Sequence, residues 1–118
     1  MDIQGQVPDS QNELNVAMAL NTLKIEYVYQ YDIMGGKGRR GGMVIDFLLY
    51  TAPLFIPLQV QGAYWHGKAM SKHEALELYT LEEYAQNQGW DRPVELYEEE
   101  TATYEAALMA IKQKVGYG

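Results

Sequence analysis

Asp46 is the residue that demands an explanation. It sits inside the otherwise apolar run MVIDFLLY (43–50), and an ionised carboxylate among apolar neighbours is costly to bury unless a cation or hydrogen-bond donors meet it. Two amides follow, Gln59 and Gln61, spaced i, i+2 in FIPLQVQ (55–61). On an extended strand they share one face while Leu58 and Val60 take the other. If Thr51 to Leu54 form a hairpin loop and Tyr50 faces Phe55, counting back along the antiparallel pair puts Asp46 opposite Gln59. Asp46, Gln59 and Gln61 would then converge on one face. The chain then leaves the strand through Gly62-Ala63-Tyr64-Trp65-His66-Gly67, two large aromatics and an imidazole whose ordinary pKa suits general acid or base work. Upstream, GGKGRRGG (35–42) interleaves five glycines with Lys37, Arg39 and Arg40, cations on a backbone that can approach phosphates closely. It is not a nucleotide phosphate loop, which needs Gly-Lys-Ser/Thr opening a helix.

The elements that must position these residues follow from periodicity. Residues 11–24 read as a helix with Leu14, Ala17, Met18 and Leu20 on its apolar face and Ser10 with Glu13 as a capping box. Residues 25–31 (IEYVYQY) read as a strand, 43–50 and 55–61 as a hairpin around Thr51-Ala52-Pro53, and 70–88 as a helix stopped by Gly89. A short strand over 93–97 and a helix over 102–115 complete the order α-β-β-β-α-β-α. This predicts an α+β fold, close to a three-layer arrangement, with a mixed sheet of about four strands flanked by helices.

At 118 residues, with 47% hydrophobic and 21% charged side chains, the chain is expected to form one domain over 1–118. With no apolar run of ~18 residues and no basic-then-apolar start, the expectation is a cytoplasmic protein without a membrane partner. Zero Cys and two His exclude disulfides, thiolate zinc sites and cysteine nucleophiles and disfavour a polyhistidine centre. The net charge of −7 argues against nucleic acid, yet residues 35–72 hold five cations against the single Asp46, which leaves −11 for the remainder. The acidic C-terminal run, Glu95 included, reads as a solvated face.

Glu13 in a first helix, R-G-G-M-V-I-D-F on one strand, L-Q-V-Q-G on the next and then Y-W-H-G together resemble the PD-(D/E)xK nuclease superfamily, in the branch similar to the very-short-patch-repair endonuclease. The resemblance covers most of the chain and implies a restriction-endonuclease-like fold. It implies Asp46 as metal carboxylate, the Val60 backbone carbonyl as a second ligand, His66 as general acid or base, and Glu13 acting through a water held by the metal. The third-strand motif departs from the family's Glu/Asp-x-Lys: Gln59-Val60-Gln61 lacks one charge and one cation. Gln59 then offers a neutral oxygen to the ion, and Gln61 positions a water or donates to the scissile phosphate. Lys37, Arg39, Arg40 and Lys68 would contact DNA, and a two-fold dimer would match a duplex. The expected function is a Mg²⁺- or Mn²⁺-dependent DNA endonuclease. The alternative is an inactive nuclease-like fold that binds nucleic acid or protein, and a third reading is an acidic interaction protein that repels DNA.

Overall fold

Ser10 opens the first helix, α1 (Gln11–Thr22), by accepting the Glu13 N–H at 3.1 Å, which satisfies one of the unpaired donors at a helix start. The computed structural model describes residues 2–36, 38, 42–61 and 72–116. After α1 come β1 (Glu26–Ile33), β2 (Met43–Thr51), β3 (Leu54–Val60), α2 (Lys72–Gln88), β4 (Val94–Leu96), α3 (Glu98–Thr101) and α4 (Tyr104–Val115). The strands make one mixed sheet in the order β1-β2-β3-β4, antiparallel except for the parallel pair β3 and β4. The architecture is therefore α+β in the expected order, with one addition.

That addition is α3. The last helix was expected from residue 102, but Thr103 caps α4 through the Ala106 N–H at 3.0 Å, and the chain makes a separate turn before it. Glu100 anchors the turn, accepting the Tyr97 N–H at 3.1 Å and the Lys114 ammonium at 2.9 Å. Part of the acidic run is thus structural. Gly116, at φ 90°, ends α4 in the left-handed conformation that costs glycine little.

Helices α1 and α4 cover one face of the sheet. Val16, Ala17 and Leu20 of α1 and Ala107, Ala110 and Ile111 of α4 meet Tyr29, Phe47, Leu49, Leu58 and Leu96 from all four strands. The alanines let the two helices lie close to each other and to the sheet. A smaller cluster seats α2, where Leu81 and Tyr84 pack with Trp90 on Ile33, Met43 and Ile45. On α2, Leu81 and Ala85 are buried while Ala75 is exposed.

Both sheet edges are occupied by side chains. Gln4, in the tight turn Ile3–Gln6, donates Nε2 to the Tyr27 carbonyl at 2.6 Å and accepts the Tyr29 N–H at 2.9 Å. Its primary amide pairs with the outer edge of β1 as a neighbouring peptide would. On the other side, Lys114 donates to the Glu95 carbonyl at 2.8 Å. An edge whose groups are already paired is a poor template for another chain.

Candidate functional site

The hairpin register is the one that places Asp46 across from Gln59. Backbone pairing of β2 with β3 runs from Thr51↔Leu54 through Tyr50↔Phe55 to Phe47↔Leu58. Beyond Phe47 side chains take over the join. Gln59 Oε1 accepts the Asp46 N–H at 2.6 Å, its Nε2 donates to the Val44 carbonyl at 3.3 Å, and Asp46 Oδ2 accepts the Val60 N–H at 2.8 Å. A primary amide carries the same donor and acceptor as a peptide group, so Gln59 stands in for a strand segment along β2. The Asp46 carboxylate stands in for a β3-facing carbonyl. The strands part here into a fork whose prongs stay tied through Asp46 and Gln59.

While β2 diverges, β3 continues on β4 with Gln59↔Glu95 and Val60↔Leu96, and the Gln61 N–H donates to the Leu96 carbonyl at 2.7 Å. Gln61 Nε2 donates to Glu95 Oε1 at 2.6 Å, both side chains being half-buried. Glu95 is the site residue that sequence reasoning missed, having been placed in the solvated acidic run. The available signal was the apolar-polar-apolar pattern Val94-Glu95-Leu96 in a short strand.

Of the residues expected to act together, the structure unites Asp46, Gln59 and Val60 and puts Gln61 beside Glu95. Glu13 is 7% exposed and one strand away, where it accepts the Tyr29 hydroxyl. The Tyr29 ring packs at 5.1 Å, tilted, on Phe47, the neighbour of Asp46. His66 and the cations Lys37, Arg39, Arg40 and Lys68 lie outside the described residues. Among the described residues, no three His, Cys, Asp or Glu side chains gather so as to hold an ion. A metal at the fork would draw on carbonyl and amide oxygens beside Asp46.

Burial pushes the Tyr29 hydroxyl well above its ordinary value of 10.0, and the hydrogen bond to Glu13 and the charge of that carboxylate push the same way. The folded state thus holds this proton more tightly than the unfolded chain. The stability it contributes is complete below the unfolded value and is lost as pH climbs from there towards the folded one. Urea unfolding between pH 8 and pH ~11.5 should show stability falling with pH more steeply in the wild type than in Tyr29→Phe. Equal slopes would refute the assignment.

Glu13→Gln keeps an acceptor for Tyr29 and should stay near wild-type stability. Glu13→Ala leaves the buried hydroxyl without its acceptor, for the Asp9 N–H at 3.2 Å and Gln30 Nε2 at 3.3 Å only donate to it. That loss should cost about 1–3 kcal/mol in chemical denaturation. If Glu13 also acts on a substrate, Glu13→Gln will be stable and impaired; full activity in that variant confines it to the core.

Comparison with protein-family models, with curated proteins and with solved structures finds no match for this chain.

Proposed function

We propose that the fork between β2 and β3 is the centre of a divalent-metal-dependent DNA endonuclease. The observation that carries this reading is the convergence of Asp46, Gln59 and the Val60 backbone where regular pairing stops. At such a place a carboxylate and peptide groups of two strands stand beside one another. The donor chemistry fits Mg²⁺ or Mn²⁺, since such ions take one or two carboxylates plus neutral oxygens and keep several waters. Asp46 and the Val60 carbonyl would hold the ion. Gln59 is mainly the strut that fixes the Asp46 backbone, for its oxygen already takes the Asp46 N–H. What a bound divalent ion supplies there is polarisation of a phosphoryl oxygen and a lower pKa for an attacking water. His66 follows β3 in sequence and is the general acid or base of this reading, and Lys37, Arg39, Arg40 and Lys68 are its phosphate contacts.

One observation favours a second reading, a nuclease-like fold that binds without cutting. The Val60 N–H on Asp46 and the two ends of the Gln59 amide on β2 close the fork with protein groups alone. A supercoiled plasmid separates the two. The enzyme should nick it with Mg²⁺ or Mn²⁺ and stop on addition of chelator. A binding module should retard it in a salt-sensitive way, weakened by neutralising Lys37, Arg39 and Arg40, without nicking under any metal. Nicking unaffected by chelator would defeat the metal-dependent proposal.

Among the described residues, no helix is long and apolar enough to cross a membrane. A cytoplasmic setting, a DNA partner and a two-fold dimer belong to the same proposal.

A further inference from the structure

Strand alternation turns Glu26, Val28, Tyr50 and Phe55 to the face of the sheet opposite α1 and α4. There, near the hairpin turn, Val28, Tyr50 and Phe55 are 46%, 39% and 37% exposed, a contiguous apolar patch of the kind that marks a binding surface. Aromatic rings carry it across the hairpin: Tyr50 lies 5.0 Å from Phe55, Phe55 6.1 Å from Trp90 and Trp90 5.4 Å from Tyr84, each pair tilted or edge-on. Phe55 lines a hollow of about 230 Å³ together with Glu26, Val28 and Leu48. Trp90 lines a second, of about 360 Å³, with Glu82, Asp91, Arg92 and Pro93. The two rings form the ridge between the hollows.

Charge and backbone select the occupant. Glu26 stands in one hollow and Glu82 and Asp91 in the other, against Arg92 as the one cation among the described residues that line them. Such a rim repels nucleic acid. A second copy docking through the same patch would set these acids against their own counterparts. An added strand finds little to pair with, because the Phe55 carbonyl already accepts the Asp91 N–H at 2.8 Å and Gln4 occupies the outer edge of β1. A polyproline helix needs no backbone partner, and with three residues per turn it can rest two edges on aromatic rings while the third carries charge. We propose that the furrow from Tyr50 to Trp90 docks a basic, proline-rich segment of a partner protein, with prolines on either side of the ridge and Arg or Lys meeting Glu26, Glu82 and Asp91. The surface lies towards the hairpin turn from Asp46, and docking on it neither needs nor supplies a metal.

The test uses the full chain labelled with ¹⁵N, the Trp90 indole N–H being assigned from Trp90→Phe, and a capped peptide of four Pro-Pro-Arg repeats as the probe. The peptide should move the Trp90 indole and the Val28 and Phe55 amides saturably. Phe55→Ala should weaken it about tenfold, and the double variant Glu26→Gln, Glu82→Gln should weaken it several-fold and flatten its salt dependence. Thermal melts of these exposed-site variants should stay near the wild type. Four Pro-Pro-Glu repeats should leave Trp90 unmoved, and four Gly-Gly-Arg repeats should bind about tenfold more weakly for want of a preformed helix. No saturable shift with Pro-Pro-Arg overturns the proposal, as does equal affinity for Gly-Gly-Arg or binding indifferent to Phe55→Ala. A thymidine oligonucleotide that moves the same resonances at lower concentration gives the patch to nucleic acid, and movement on dilution of the protein alone gives it to a second copy; either result overturns the proposal. None of these readouts is nicking, so the endonuclease reading stands or falls separately.

Discussion

Asp46→Asn should lower metal-dependent plasmid nicking by about two to three orders of magnitude while leaving the fold nearly unchanged. The two effects separate because Asp46 does two things. As an acceptor it takes the Val60 N–H at 2.8 Å, and the oxygen of an asparagine does the same. As a charge it is what a divalent ion would require, and the substitution removes that charge. Thermal melts of the two proteins should therefore lie close together while their nicking time courses diverge. Asp46→Ala is the instructive contrast: it leaves the Val60 N–H at the fork without its partner, at a cost of about 1–3 kcal/mol. Wild-type nicking by Asp46→Asn would place the chemistry elsewhere in the molecule.

Phe47→Ala should be the most damaging single substitution in the described core, costing about 3–5 kcal/mol of the ~5–15 kcal/mol that a domain of this size possesses. Phe47 is 0% exposed. Its ring lies 5.5 Å from that of Tyr27 and 5.1 Å from that of Tyr29, and it is in register with Tyr29 on β1 and Leu58 on β3. Truncation leaves a cavity bounded by three strands that backbone pairing prevents from collapsing. Phe47 is also the last residue of the β2 and β3 ladder before the fork, so the damage should reach the placement of Asp46. In urea the midpoint should drop sharply with little change in slope. Leu76→Ala and Met109→Ala, at 63% and 64% exposure, should stay within about 0.5 kcal/mol of wild type. A mild Phe47→Ala would mean that the two-faced sheet is not the stabilising unit.

The site was legible in the sequence as far as local rules reach. The alternation of Gln59 and Gln61 against Leu58 and Val60, and a turn that brings Tyr50 to Phe55, suffice to place Asp46 across from Gln59, and the register agrees. Hairpin register is decided by the loop that closes it, a few residues away. The use made of that juxtaposition was not legible. Gln59 as a substitute peptide along β2 depends on how far the strands diverge, which no spacing encodes. Glu13 shows the same limit: Ser10 caps α1 as its spacing foretold, yet the Glu13 carboxylate reaches Tyr29 across the core.

What the sequence determined by itself is the order of elements and which residues share a strand face, because periodicity and turn chemistry act over a handful of residues. Tertiary structure alone decided that Glu95 meets Gln61. Those residues are 34 apart, and a parallel pair has no connecting turn to set its register. The match of β3 with β4 comes from Leu58 and Leu96 burying themselves in the same core under α1 and α4. Carboxylate and amide are carried into contact by apolar neighbours whose packing, unlike a hairpin turn, exists only once the whole sheet has assembled.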